Sequence, residues 1–213
     1  MKFLVLTDIH GNDNVAGWAN EIIAEQGVEF VVILGDITQF GPQSWAEEFL
    51  ARFSVPVYSV AGNCDPPQEI MAAIEKKAIL MHKKKIKIGG ISFIGLGGSN
   101  PTIFDTPFEL SEDEITASLE PLMEERAVLV LHAPPLGIND MIPTGAHVGS
   151  TAIKNIVEKY HPLLVLSGHI HEARGNVEEN GTIFINPGPA MRGCYALIEM
   201  DNGHVKAALL ERE

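Results

Sequence analysis

Seven side chains able to ligate a metal follow short apolar runs in this chain. Asp8 and His10 come after the run 3–6, Asp36 after 30–34, and Asn63 after 55–60. His132 follows 127–131, and His169 and His171 follow 163–166. Each run is rich in Val, Ile, Leu and Phe and reads as a buried strand. The donors therefore sit at the C-terminal ends of strands, the edge of an open α/β sheet where ligands bind. Gly11, Gly35, Gly62 and Gly168 stand beside four of them, so tight turns can bring backbone close to a bound ion. In an extended chain residues i and i+2 point the same way. Asp8 and His10 are thus expected to reach one site together, as are His169 and His171. Two carboxylates, four imidazoles and one amide, without a thiolate, suit Mn²⁺, Fe, Zn²⁺ or Co²⁺ better than Cu(I) or an iron–sulfur cluster. Seven donors exceed what one tetrahedral ion takes, and two ions sharing a carboxylate would use them. A lone Asp after a strand is more often a helix cap, and a lone His a satisfied core or surface residue. The repetition at successive strand ends is what favours the metal.

The same residues resemble the motifs of the calcineurin-like metallophosphoesterase superfamily, D-x-H, G-D, G-N-H-D, H and G-H-x-H. Here they stand as Asp8-Ile9-His10, Gly35-Asp36, Gly62-Asn63-Cys64-Asp65, His132 and Gly168-His169-Ile170-His171. The resemblance covers most of the chain. It implies an α/β (mixed α+β) fold, a four-layer αββα sandwich of two mixed sheets flanked by helices. It also implies two divalent metal ions, Mn²⁺ favoured, with Fe, Zn, Co or Ni admissible. Asp8, His10, Asp36 and His171 would hold the first ion, and Asp36, Asn63, His132 and His169 the second. Asp36 would bridge, and Asp36, Asn63 and His132 are the expected catalytic residues. There is one departure. Cys64 stands where the family carries a His assigned to the transition state or to protonating the leaving group, as in small prokaryotic phosphodiesterase-like members. A thiol with an ordinary pKa of about 8.5 is mostly protonated near neutral pH. Cys64 is read as a substrate-side spectator or minor contributor, and Asp65 as the N-cap before Pro66.

The chemistry expected of such a centre is phosphoester hydrolysis. Two ions about 3.5–4 Å apart lower the pKa of a bridging water towards ~7, and the hydroxide attacks phosphorus in line. Without a strong general acid at position 64, good leaving groups should react best, which favours a small phosphodiester over a monoester. The rivals are a non-catalytic scaffold of the same fold, a phosphomonoesterase, a nuclease and a protein phosphatase. Filled ligand positions argue against the first, a short acidic chain against the nuclease, and Cys64 against the protein phosphatase.

Outside the motifs, Asn12 and His147 are candidate substrate contacts. Asn12 reads equally as a helix cap, and His147 as an ordinary residue of the loop 144–150, whose Ser150 is placed to cap a helix. The turn-rich loops 97–102 and 133–137 are expected to shape the pocket, and Arg192 is a candidate basic group near it. His82 and His204 read as surface residues, the latter beside an Asn202-Gly203 turn.

The elements that must position these groups alternate. Amphipathic stretches at helical spacing run over 15–26, 43–53, 66–77, 111–123 and 151–160. Gly27 is placed as a C-terminal cap, and Ser111 with Glu114 as a capping box. The first third is thus β-α-β-α-β, a parallel start. The last third has strands with short connections and no helix, which predicts antiparallel additions. Lys76, Lys77, Lys83, Lys84, Lys85 and Lys87 read as a solvated helix end and hairpin. With 213 residues and no linker, one domain spanning 1–213 is expected. The net charge of −13 opposes non-specific nucleic-acid binding. Two cysteines are too few for a disulfide framework. No apolar run approaches the ~18 residues that cross a bilayer. Asp8 cuts the first apolar run short, so a leader is not read there. A cytoplasmic protein without membrane partners is expected, and nothing in the sequence supports a particular oligomer.

Overall fold

The computed structural model describes residues 1–201 and 203–212. The first half is built from β1 (Lys2–Leu6), α1 (Asn14–Gln26), β2 (Phe30–Ile33), α2 (Gln43–Leu50), β3 (Val57–Ser59), α3 (Pro67–Lys77) and β4 (Ile79–Leu80). These four strands pair parallel in sequence order. Then follow β5 (Lys84–Ile88), β6 (Ile91–Leu96), α4 (Glu112–Leu119), β7 (Val128–Leu131), α5 (Thr151–Tyr160), β8 (Leu164–Leu166), β9 (Gly175–Glu179) and β10 (Thr182–Asn186). They form a second six-stranded sheet of order β5-β6-β7-β8-β10-β9. The chain returns to the first sheet with β11 (Cys194–Asp201) and β12 (His204–Glu211), giving β12-β11-β1-β2-β3-β4.

Strand alternation explains the stacking. Phe3, Val5, Phe30 and Val32 point into one apolar layer with Phe93, Val128, Val130 and Leu166 of the other sheet. The intervening Leu4, Leu6, Val31 and Ile33 pack outward against helical residues such as Val15, Ile22, Phe49 and Ile70. Both faces are buried, which is why the strands read as unbroken apolar runs. Phe3 stacks on Phe30 with centroids 4.8 Å apart and meets Phe93 edge-on at 5.9 Å, joining the sheets at the centre.

Local signals behave as their chemistry requires. Gly27 ends α1 in the left-handed region (φ 63°), its N–H on the Ile23 carbonyl. Ser111 and Glu114 form the reciprocal capping box of α4, and the Ser150 hydroxyl accepts the Ile153 N–H at the start of α5. The helix expected over 111–123 stops at Leu119. Pro121, with no N–H to continue it, lies in a single 3₁₀ turn, Glu120–Leu122. The lysine-rich hairpin is real, and β5 is an edge strand whose exposed Lys84, Lys85 and Lys87 discourage further pairing.

Four expectations are corrected. The last third is not wholly antiparallel: β10 pairs parallel with β8, because β9 intervenes as the outer strand and turns the chain back. Asp65 does not cap α3, whose N-cap is Pro66 without a side-chain bond. His82 is half-buried, with its ring 5.3 Å from that of Phe108 and Nδ1 accepting the Gly97 N–H. Burial, with Lys83 and Lys84 nearby, lowers its pKa to about 4. Finally, loops 97–102 and 133–137 do not line the cleft described below, and the second borders a different one with α5 and the β9–β10 hairpin. The Asn202-Gly203 turn involves Asn202, which lies outside the described residues.

Candidate metal centre

β1, β2, β3, β7 and β8 end at one place, and the seven predicted donors meet there. The loops after β1 and β2 are laced together. Asp8 N–H donates to the Gly35 carbonyl at 3.1 Å, and the N–H groups of Ile9 and His10 both donate to the Asp36 carbonyl at 2.9 Å. Asp65 accepts from Ile37 N–H (3.1 Å), Thr38 N–H (2.8 Å), Thr38 Oγ1 (2.8 Å) and Gly62 N–H (2.8 Å). It is the tie between the Asp36 loop and the Asn63 turn, which is what it does in place of capping.

The donors are carried on backbone that L-residues rarely adopt. Asp8, His10, Asp36 and His169 have φ of 54°, 46°, 49° and 68°. Such conformations cost about 1–3 kcal/mol each and persist where the surroundings over-determine them. Neither Asp8–His10 nor His169–His171 is therefore an extended pair. Asp8 and His10 do converge, with Oδ1 and Nε2 3.9 Å apart. The other two diverge, the His169 ring lying against His132 (centroids 5.1 Å) and the His171 ring against His10 (5.3 Å). Glycine is required on both sides of the Asp36 turn. A Cβ on Gly62 would lie 2.1 Å from Asp36 Oδ1, and one on Gly35 2.5 Å from the Gly62 nitrogen.

The donors fall into two groups that share Asp36. On one side His10 Nε2 is 3.6 Å from Asp36 Oδ2 and 3.4 Å from His171 Nε2, which is 3.3 Å from Asp8 Oδ1. On the other, His132 Nε2 is 3.5 Å from Asp36 Oδ1 and 2.8 Å from Asn63 Oδ1. The last contact is a test of whether a cation fits. His132 Nδ1 is 2.9 Å from the Leu34 carbonyl, which can only accept, so Nδ1 carries the proton. Burial lowers the His132 pKa to about 3, so the ring is neutral and Nε2 bears a lone pair. Asn63 Nδ2 donates to Thr106 Oγ1 at 3.1 Å, and the Thr106 hydroxyl donates to Glu109 Oε1 at 2.6 Å. That fixes Oδ1, not the amide nitrogen, towards His132. Two acceptors thus face each other in a buried place with no proton between them, an arrangement that a cation resolves. His10 Nδ1, also buried, has no hydrogen-bond partner among the described residues. The residues fit the divalent ions the donor set calls for.

The charges agree. Burial raises the Asp8 carboxyl, but the His171 hydrogen bond and the charges of His132, His171 and His10 outweigh it and bring its pKa to about 2. Burial and the negative charges of Asp8 and Asp65 push Asp36 well up. Burial lowers His10 and His169, while the hydrogen bond to Asp8 raises His171. Cys64 donates its N–H to Asp36 Oδ1 at 2.8 Å. Burial and the Asp36 charge push its thiol up, so it stays protonated.

A cleft of roughly 500 Å³ opens over the centre. His10, Asp36, Asn63, Cys64, His169 and His171 line its floor, and Gln39, Phe40, Phe104, Asp105 and Thr106 also line it. Asn12 does not line it. Its Oδ1 accepts the Asn14 N–H (3.0 Å) and its Nδ2 donates to the Met191 carbonyl (3.1 Å), tying the start of α1 to the chain before β11. His147 borders another cleft, its Nδ1 2.6 Å from Asp140 Oδ1. Phe40, Phe104, Thr106 and Glu109 went unread in the sequence. Only the spacing of Thr102, Thr106 and Glu109 carried any local hint.

Carboxylates, imidazoles and an amide gathered at the strand ends of a sandwich of two mixed sheets form a candidate metal centre. The chain belongs to the calcineurin-like phosphoesterases, the family that residues 1–173 match. An uncharacterised protein of Methanocaldococcus jannaschii is 35 % identical over 204 residues, covering 92 % of this chain and 91 % of that one. A protein of Synechococcus named a probable cyclic nucleotide phosphodiesterase is 26 % identical over 158 residues, 71 % of this chain and 61 % of that one. A crystal structure from Thermus thermophilus shares the fold, with a TM-score of 0.78 at 16 % identity over 97 % of each chain. No helix among the described residues is long and apolar enough to cross a membrane.

Proposed function

We propose that the protein is a two-metal phosphoesterase that favours small phosphodiesters over monoesters. The observation that carries the two-metal reading is the position of Asp36. Its Oδ2 faces His10 and its Oδ1 faces His132, so one carboxylate serves two donor groups. Asp8, His10, Asp36 and His171 would hold one ion, and Asp36, Asn63, His132 and His169 the other. Bound divalent ions supply Lewis-acid activation of water and neutralise charge on a phosphoryl group.

The chain's own residues prepare that site. The Leu34 carbonyl holds the His132 tautomer, leaving Nε2 free as a donor. Thr106 orients the Asn63 amide, so that its oxygen and not its nitrogen faces the centre. The Cys64 N–H steadies Asp36. The Cys64 thiol, pushed up by burial and the Asp36 charge, is a poor proton donor to a leaving alkoxide, which favours substrates with good leaving groups.

Protein stripped with EDTA, then given Mn²⁺, is assayed on bis(p-nitrophenyl) phosphate and p-nitrophenyl phosphate. Activity is expected to vanish with the metal and return with it, with kcat/KM higher for the diester. Equal rates with and without metal would overturn the mechanism. A monoester preference would overturn only the choice of ester.

A further inference from the structure

Part of the cleft is not explained by the metal centre. Phe40 and Phe104 line it, with 56 % and 77 % of their surface exposed. An exposed phenylalanine forgoes the burial that normally stabilises it, and two lining one cleft offer it apolar surface. They come from loops far apart in sequence, each separately fixed. Phe40 donates its N–H to the Cys64 carbonyl at 3.1 Å, and Gly41 donates to Thr38 Oγ1 at 3.0 Å. Phe104 donates its N–H to Thr102 Oγ1 at 3.1 Å. Glu109 then clamps that loop, accepting from Thr102 N–H (3.0 Å), Thr102 Oγ1 (2.6 Å), Thr106 N–H (2.9 Å) and Thr106 Oγ1 (2.6 Å). The rings are thus presented on hydrogen-bonded backbone.

The charge around the cleft points the same way. Its lining contains no Lys or Arg among the described residues, and Asp105 adds a carboxylate. Arg192 acts electrostatically on His171 but does not line the cleft. A dianionic monoester meets no Lys or Arg there. A diester carries less charge and brings a second ester group that needs a surface.

Resting on the phosphoesterase reading above, we propose that Phe40 and Phe104 form an aromatic platform for the second ester group of a phosphodiester, and that this group is a planar aromatic ring. Stacking on an aromatic face tolerates any flat π-system and adds no demand for charge.

The test uses two non-hydrolysable monoanions, diphenylphosphinate and dimethylphosphinate, which differ in the groups on phosphorus. Calorimetry on the Mn²⁺-loaded protein is expected to show at least about tenfold tighter binding of the diphenyl compound. The double variant Phe40→Ala/Phe104→Ala is expected to lose that preference while keeping its affinity for dimethylphosphinate. Phe104→Trp is expected to retain the preference. Equal affinities in the wild type, failure of diphenylphosphinate to bind, or a preference that survives in the double variant would each overturn the platform. Both rings are exposed, so truncation leaves the core intact, and the dimethylphosphinate affinity checks it. The experiment reads binding and not turnover, so its failure is separable from failure of the hydrolase reading, which the diester assay decides.

Discussion

Asp36 and Cys64 are neighbours in the centre with opposite expected importance. Asp36 presents one oxygen to each donor group, so Asp36→Ala removes a ligand from both and is expected to abolish Mn²⁺-dependent hydrolysis of bis(p-nitrophenyl) phosphate. Cys64 contributes to the centre chiefly through its backbone N–H, which any residue supplies. Cys64→Ala is expected to change kcat by less than about tenfold, small beside the 10²–10⁴-fold typical of a general acid. Steady-state kinetics of the two variants decide it, and a larger loss in Cys64→Ala would give the thiol a proton-transfer role. The donor types and their order at strand ends were legible in the sequence, because ligand chemistry needs particular atoms. Their backbone was not. Asp8, His10, Asp36 and His169 are non-glycine residues in the left-handed region, a conformation imposed by bonds such as Asp8 N–H to the Gly35 carbonyl and not by local propensity. Asn63 and Thr106 meet across 43 positions, a separation over which spacing carries no signal.

The loop 100–110 shows what an element without regular structure contributes. Glu109 gathers four hydrogen bonds from Thr102 and Thr106, and Thr106 in turn holds Asn63. Glu109→Gln keeps the shape but lacks the charge and offers one accepting oxygen in place of two. It is expected to weaken Mn²⁺ affinity roughly 10–100-fold, the scale for partners that orient a ligand. Equilibrium dialysis against Mn²⁺ measures this, and an unchanged affinity would disconnect the loop from the metal centre. Burial opposes the charge on Glu109, but the Thr102 and Thr106 bonds outweigh it and lower its pKa from 4.5 to about 2. A carboxyl depressed in the folded state stabilises it fully above the unfolded value and loses that contribution as pH falls through the folded one. Hydrogen exchange in 100–110 is therefore expected to rise between about pH 4.5 and 2 relative to the Glu109→Gln variant, and parallel profiles would contradict this. At this scale helices were the more legible elements. The 3.6 period and the Ser111, Ser150 and Gly27 caps found all five, while β4, with two residues, and β9, exposed along most of its length, offered no pattern to read.

Across the whole molecule, the centre joins two sheets at a place where burial and charge conflict. Asp8, Asp36 and Asp65 are almost wholly buried in a chain whose net charge is already −13. Burial and the charges of Asp8 and Asp65 raise the Asp36 pKa well above 3.8, the reverse of Glu109. A carboxyl raised in the folded state favours folding below its unfolded value, and that contribution is lost as pH rises through the folded one. In the metal-free protein an ionised Asp36 is therefore an unfavourable buried charge, which a proton relieves as pH falls. A divalent ion relieves it without the proton, and proton and ion compete for the same oxygens. Saturation at about 100 times Kd adds about 2.7 kcal/mol to stability, and for 150–250 residues each kcal/mol moves Tm by about 2–4 °C. Mn²⁺ is thus expected to raise Tm by about 5–10 °C over protein in EDTA at about pH 7, and by less at about pH 5. Thermal unfolding by circular dichroism at both values measures the difference. A shift as large at pH 5 would mean that the ion does not displace a proton from Asp36, and no shift at either would leave the facing acceptors of His132 and Asn63 without the cation their geometry requires.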